Sequence, residues 1–315
     1  MASTSITTAF VKQYGKTLDL LAQTKGGKFA GTCLEESIEG EEKYYDQLGS
    51  VIAQEVTDRY ADSPENDITH ARRRVSATSY DVGLMLDKFD KVQMLVNPES
   101  EYVQQQVTAL NRKRDQEFIK GALGNAATGK TGGTLVSLPA SSKVGAAAAT
   151  ISTSLLADVK QKWQDSGIDL DDPLNKAYIA VSPKVLNDLV QITQVTSSDY
   201  NTVKSLVKGD INTWYGFEFI VSNHLPYINS ADNVAKLDWG TNDTPQAIGS
   251  GTADLRACIA WVKSGVRQVT NPSIMTEISK RDDKRFNYYA YSCMRTGAVR
   301  MEEEKVIQVL CDESP

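Results

Sequence analysis

The chain has 315 residues, 34 basic and 40 acidic side chains, a formal net charge of −6 and 41% hydrophobic residues. This length suits one large domain or two ordinary ones, and the composition is that of a folded protein. No stretch approaches the roughly 18–20 apolar residues of a membrane helix, and a net-negative chain is a poor candidate for a protein that coats nucleic acid.

The N-terminal third predicts two extended segments. Residues 1–45 have weak periodicity, interrupted by Gly26, Gly27 and Gly31, and are typical of an arm that lies on another surface. Residues 46–90 predict a strand around Val51 to Val56, a long polar turn, and a second strand up to Leu86 that alternates well from Tyr80 onward. An isolated ribbon of two strands is marginal in water, so we expect it to rest on a partner.

Residues 98–123 predict a long helix. Pro98 suits the first helical position after Asn97, and Gly124 is a natural C-terminal stop. Apolar residues at helical spacing, from Val103 to Phe118, form one stripe. At ~1.5 Å per residue such a helix is about 39 Å long.

Residues 124–131, GNAATGKT, match the phosphate-binding pattern G-x-x-x-x-G-K-[ST]. That loop requires a strand before it and a helix after it, whereas a helical pattern precedes this segment and Gly132-Gly133 follow it. We expect a helix that ends in a flexible loop, within a Gly/Ala/Ser-rich connector over 124–151. A P-loop nucleotide-binding protein is the alternative.

Residues 152–262 predict a compact α/β subdomain. A helical stripe ends at Gly167, an apolar strand covers 177–181, a helix starts at Pro183, and strands follow at 216–222 and 256–262. Residues 273–312 are strand-rich, and the three tyrosines Tyr288, Tyr289 and Tyr291 pack a sheet in our interpretation, with a stacking platform for bases as the alternative.

Cysteine and histidine spacing argues against a metal or cofactor site. The chain has four widely spaced cysteines, Cys33, Cys258, Cys293 and Cys311. C-x-x-C half-sites are therefore absent, and two histidines cannot form a His-rich site. No serine lies in a G-x-S-x-G motif. We expect free thiols, no cofactor and no catalytic residues, hence a protein that is not an enzyme.

An arm and a ribbon that cannot bury themselves indicate contact with copies of the same chain. The sequence resembles the major capsid proteins of tailed double-stranded DNA phages, which have the Hong Kong 97 fold. The resemblance lies in three segments: ARRRVSATSYDVGLMLDKFD with NPESEYVQQQ and NRKRDQEFI, then RACIAWVKSGV, then YYAYSCMRTGAVRMEEEKVIQVLCDES. It covers most of residues 40–313.

The resemblance implies an α+β fold with an N-terminal arm (1–45), an extended β-ribbon loop (46–85), a peripheral domain (86–150 and 263–315) with its spine helix (98–123), and an inserted axial domain (151–262). It also implies self-assembly into hexamers and pentamers of an icosahedral shell that encloses double-stranded DNA without sequence-specific binding. No long segment precedes the arm, which favours a separate scaffolding protein. A portal, a decoration protein and assembly in the host bacterial cytoplasm are further implications.

Two charged runs suggest where neighbouring subunits meet. Arg72, Arg73 and Arg74 are predicted to form a dense positive patch near the tip of the ribbon. Glu302, Glu303 and Glu304 form an acidic counterpart. We expect these runs, or nearby acids, to pair between subunits; the alternative is that both face water.

Overall fold

A computed structural model describes residues 26–53, 55, 67–86, 99–145, 150–191, 213–229, 234–240, 243–246, 255–271 and 274–313. The α-helices of the described residues are α1 (Glu99–Leu123), α2 (Thr153–Asp165) and α3 (Pro183–Gln191). The strands of the first half are β1 (Leu34–Ser37), β2 (Glu42–Leu48), β3 (His70–Ser76), β4 (Thr78–Leu86), β5 (Ala126–Thr128), β6 (Thr134–Val136) and β7 (Lys143–Val144). Those of the second half are β8 (Ala177–Val181), β9 (Thr213–Trp214), β10 (Phe217–Val221), β11 (Ile228–Asn229), β12 (Val234–Ala235), β13 (Leu255–Val262), β14 (Val266–Thr270), β15 (Met275–Arg281), β16 (Asn287–Arg300) and β17 (Val306–Asp312).

The chain divides into two compact units. The first comprises Met1–Gly27, Ser79–Arg114 and Pro272–Arg295, and the second comprises Lys28–Thr78, Asp115–Asn271 and Thr296–Pro315. This division differs from the predicted arm, extended loop, peripheral domain and axial domain, whose limits stay a prediction.

The second unit is built on a six-stranded mixed sheet of order β7-β17-β13-β8-β10-β9. Two of its inner strands, β8 and β17, are buried along their whole length. Strands that are covered on both faces have continuous apolar sequences, which is why the strands at 177–181 and 256–262 were predictable. Both predictions are confirmed.

Helices α2 and α3 share the core of this sheet. In α2 the buried residues are Leu155, Leu156, Val159 and Trp163, and the Ser152 hydroxyl caps the start by accepting a hydrogen bond from the backbone N–H of Leu155. The helix ends with Gly167 in the left-handed region (φ 74°), where the N–H of Ile168 returns to the carbonyl of Trp163. This turn needs glycine because other residues resist a positive φ.

The segment that follows Gly27 belongs to the core of the second unit. Phe29 is 1% exposed, and its ring stacks on that of Phe118 at 4.7 Å. Trp261 lies against both rings and donates its indole N–H to the carbonyl of Thr32. We predicted an arm on another surface over 1–45, yet from Lys28 onward this segment packs into its own unit. Residues 1–25 lie outside the described residues.

A second, four-stranded sheet of the same unit has the order β2-β3-β5-β6. We predicted the first strand around Val51 to Val56, and this is wrong. Strand β2 covers Glu42–Leu48, whereas Val51 and Ile52 lie outside the strands and are exposed. The N–H of Gly49 bonds to the carbonyl of Thr69, so the pairing closes before Val51. Val56 lies outside the described residues. The predicted connector over 124–151 is also wrong, because it contains three strands: β5 and β6 pair with each other, and β7 pairs with β17.

The first unit contains a β15–β16 hairpin, β4 paired to β16, and the first turns of α1. The amide of Gln106 in α1 donates to the carbonyl of Ala290, and its oxygen accepts from the hydroxyl of Ser292. Gly83 of β4 lies so close to Tyr289 that a Cβ would come 1.9 Å from the tyrosine oxygen. The predicted helix over 98–123 is confirmed as α1.

Candidate assembly surface

Strands β2 and β3 form an antiparallel ribbon, here taken as residues 42–53 and 67–76. Asp46 pairs with Arg72, Tyr45 with Arg73 and Tyr44 with Arg74. Because side chains alternate along a strand, the three arginines do not form one patch. Arg72 and Arg74 face outward, whereas Arg73 is 7% exposed and points into the unit.

The outward arginines pair across the ribbon itself. Arg72 donates to both carboxylate oxygens of Asp46, at 2.5 and 3.1 Å. Arg74 donates to Glu42 at 2.7 Å. The hydrogen bond from Arg72 lowers the pKa of Asp46 below its usual value. Both pairs are solvent-accessible, so each contributes little to stability and leaves charge at the surface.

The inward Arg73 makes the one contact between the two predicted charge runs. Its Nη2 lies 2.7 Å from both carboxylate oxygens of Glu303, and its Nε donates to the carbonyl of Met301 at 2.9 Å. Gln47 of β2 donates to the same carbonyl at 2.9 Å. These bonds lie within a single subunit. Glu302 pairs with Lys305 in the same turn, and Glu304 is exposed. The predicted contact between neighbouring subunits stays a prediction.

Sequence reasoning missed Arg300, which is fully buried in β16. Its Nη1 donates to the carbonyls of Ala122 and Gly124 at the C-terminal end of α1, and its Nη2 to the carbonyl of Val136. Burial lowers the pKa of Arg300 to about 10, with Glu303 acting in the opposite direction. A cation is favourable at a helix C-terminus, but an arginine in a strand ordinarily signals exposure, so the sequence carried no sign of this role.

Three apolar side chains at and just beyond the C-terminal end of β2 are exposed. Leu48 is 70%, Val51 49% and Ile52 81% exposed. In the first unit, all seven residues of β15 are exposed, including Met275 and Ile278. Clustered exposed apolar groups mark interaction sites more often than isolated ones do. The segment from Leu48 to Ile52 and strand β15 therefore both offer surfaces for contact with another chain.

The GNAATGKT segment does not form a phosphate-binding loop. Gly124 follows the end of α1, β5 starts at Ala126, and β6 follows instead of a helix. The N–H of Gly129 is used by the carbonyl of Arg72. Lys130 lines an open cleft of about 460 Å³ together with Asp46 and Arg72. The strand–loop–helix context of the nucleotide-binding alternative is therefore contradicted.

Tyr289 and Tyr291 stack on one another at 6.2 Å within β16. This agrees with the interpretation that the tyrosines pack a sheet. Among the described residues, no group of three or more His, Cys, Asp or Glu side chains is placed to hold a metal ion. None of the helices in the described part of the chain is long and apolar enough to cross a membrane.

Solved structures with the same fold come from phage heads. A capsid structure of the cyanophage P-SCSP1u has 18% identity and a TM-score of 0.69, over 98% of this chain and 95% of that one. The capsid asymmetric unit of cyanophage Pam1 has 12% identity and a TM-score of 0.68, over 99% of each chain. Mycobacterium phage Che8 provides a third match, with 14% identity and a TM-score of 0.64, over 95% of this chain and 96% of that one.

These likenesses establish a mixed α+β fold that matches phage capsid structures. No curated protein matches the sequence. The family described as phage capsid protein matches residues 6–313, which is nearly the whole chain. The chain therefore belongs to the phage capsid protein family, and its role is that of a structural protein of the virion.

Proposed function

We propose that this chain is the major subunit of the icosahedral head of a tailed double-stranded DNA phage, with a Hong Kong 97-like fold. The observation that carries the proposal is a likeness to phage capsid structures along 98–99% of the chain at TM-scores of 0.68 to 0.69. Copies assemble into hexamers and pentamers, which close a shell around the DNA without sequence-specific binding. A net charge of −6 suits a shell that must package and release DNA.

In this proposal the domains have the limits that the resemblance to the phage capsid proteins implies. The arm is about 1–45, the extended loop 46–85, the peripheral domain 86–150 with 263–315, and the axial domain 151–262. Helix α1 is the spine helix, and the ribbon is the base of the extended loop. The partners are a separate scaffolding protein, a portal and a decoration protein, and assembly takes place in the host bacterial cytoplasm.

We place the charged contact between neighbouring subunits on the outward members of the two runs. Arg72 and Arg74 keep accessible guanidinium groups, and the side chain of Glu302 is 48% exposed. The central pair, Arg73 with Glu303, is largely buried within the subunit. The outer members also have partners in their own subunit, but those pairs are accessible to solvent. An exposed pair contributes only ~0.2–1 kcal/mol, but the contact repeats at every subunit of a shell.

Electron microscopy of the expressed chain, alone and with a phage scaffolding protein, tests the main proposal. We expect closed particles tens of nanometres across. Soluble subunits that never form particles under either condition would contradict the proposal.

Charge reversal tests the contact between subunits. We expect Arg72→Glu with Arg74→Glu to prevent particle formation while the far-UV circular dichroism of the subunit stays unchanged. Arg72→Lys with Arg74→Lys is the matched control, which keeps the charge and should assemble. Normal particles from the reversed variant would show that these arginines only face water.

A further inference from the structure

The three residues Arg73, Arg300 and Glu303, here called the triad, join separate parts of the second unit; the two arginines are buried and the Glu303 side chain is 22% exposed. Arg73 belongs to β3 of the ribbon, Arg300 ends β16, and Glu303 lies in the turn before β17. The Glu303 carboxylate is 2.7 Å from Arg73 and 3.8 Å from Arg300. One carboxylate therefore faces two guanidinium groups.

Burial makes this arrangement different from the other ion pairs of the ribbon. The side chain of Arg73 is 9% exposed and that of Arg300 is 0% exposed, against 39% for Arg72. A buried charge without its partner is strongly unfavourable, whereas an exposed one is solvated by water. Loss of the single carboxylate would leave two buried cations close together.

Arg300 and Glu303 also make hydrogen bonds to other segments of the second unit. Arg300 is held by carbonyls of Ala122, Gly124 and Val136. The backbone carbonyl of Glu303 accepts a hydrogen bond from the hydroxyl of Ser142 at 2.9 Å. Glu303 thus lies beside α1 and β6, and the ribbon joins the same body at its base, where Arg73 and Arg74 of β3 pair with Thr128 and Ala127 of β5.

We propose that Glu303 is a positioning residue that sets the ribbon for assembly, because its carboxylate bonds to Arg73 of the ribbon and lies 3.8 Å from the buried Arg300 of the body. The inference rests on the proposed function, since it concerns how the ribbon is presented to another subunit. Arg72 and Arg74 pair across the strands of the ribbon, whereas Arg73 adds a side-chain anchor at the point where β3 meets β5.

Hydrogen exchange of the unassembled subunit tests the positioning. We expect Glu303→Gln to speed exchange of the β2 and β3 amides roughly 100-fold, the effect of breaking a buried pair. The amides of α2 serve as the internal reference and should be unchanged. Arg72→Met is the matched control on the same strand, and its ribbon should exchange within about twofold of the wild-type rate. An unchanged ribbon, or equal acceleration in α2, would overturn the inference.

A double-mutant cycle separates positioning from general packing. Arg73→Met alone and Arg73→Met with Glu303→Gln should have equal rates of ribbon exchange, because the bond between the two side chains is absent in both. Both should exchange more slowly than Glu303→Gln alone, because that variant keeps the buried Arg73 charge without its partner. Multiplicative effects would mean independent residues and would refute the proposal. Should Glu303→Gln fail to fold, Arg73→Lys is the milder variant, with an expected rise of about tenfold, and no rise would refute it equally.

Electron microscopy then connects the ribbon to assembly. Under conditions in which the wild-type chain forms particles, Glu303→Gln should give at most about a tenth as many closed particles, and Arg72→Met should give normal numbers. Normal assembly with a loosened ribbon would refute the role of Glu303 in assembly. Absence of wild-type particles would instead contradict the proposed function, and the exchange result would still stand or fall separately.

Discussion

Replacement of Phe29 by alanine tests whether the segment after Gly27 is part of the core. Phe29 is 1% exposed, stacks on Phe118 at 4.7 Å and meets Trp261 edge-on at 5.7 Å. A buried Phe→Ala change costs about 3–5 kcal/mol. This range already includes the contacts that are lost, and Phe29 loses two aromatic contacts. We therefore expect a loss in its upper half, about 4–5 kcal/mol in the free energy of unfolding.

A segment that only lies on the surface predicts a different result. Such a segment detaches before the rest unfolds. The decrease in the free energy of unfolding then cannot exceed the free energy of its attachment, which is small for a weakly held segment. The backbone N–H of Lys28, bonded to the Asp115 carboxylate at 3.2 Å, argues that the segment is held firmly.

Urea unfolding of dissociated subunits, followed by tryptophan fluorescence, measures the loss. Phe286→Ala is the matched control, because Phe286 is 58% exposed and should change stability by less than about 0.5 kcal/mol. A loss below about 1 kcal/mol for Phe29→Ala would contradict the placement of Phe29 in the core and would favour an arm that detaches separately.

Two further predictions concern stability. The hydrogen bond from Lys43 and the pairing with Arg267 lower the pKa of Glu36 below 4.5, so its stabilisation is present above that pH and is lost as the pH falls through the folded pKa. Glu36→Gln should cost up to ~1 kcal/mol at pH 7, since the side chain is a third exposed, and the difference should shrink steadily below pH 4.5 in urea titrations; a pH-independent cost would contradict it. Gly121→Ala should cost about 1–3 kcal/mol by the same titration, because its Cβ would lie 2.5 Å from the backbone of Ala298, and an unchanged midpoint would refute the close packing.

The parts of the fold that could be predicted are those whose burial follows from a pattern within their own short segment of sequence. Strand β8 is an unbroken apolar run because both of its faces are covered, and α1 has a cap, a stripe and a glycine stop within its own sequence. The segment around Phe29 has no such local pattern. Its partners lie far along the chain, as Asp115 does at a separation of 86 residues.

The charged runs were located by the sequence, but their roles were not. A run of three arginines suggested one patch, whereas the period of two along a strand separates Arg73 from its neighbours. Alternation of the strand was the available signal. The partner of Arg73 is 230 residues away and its identity depends on tertiary packing, which no local pattern specifies.

In the proposed shell, the exposed side chains of Leu48, Val51 and Ile52 would contribute to docking between subunits. Complete burial of a Leu, Val or Ile side chain is worth about 1.5–3 kcal/mol. Partial burial of these three would therefore give a contact of a few kcal/mol before the entropic cost of association. A subunit that docks wrongly through these three side chains alone would dissociate quickly. A contact of this strength would thus let misplaced subunits leave before they are held by several neighbours.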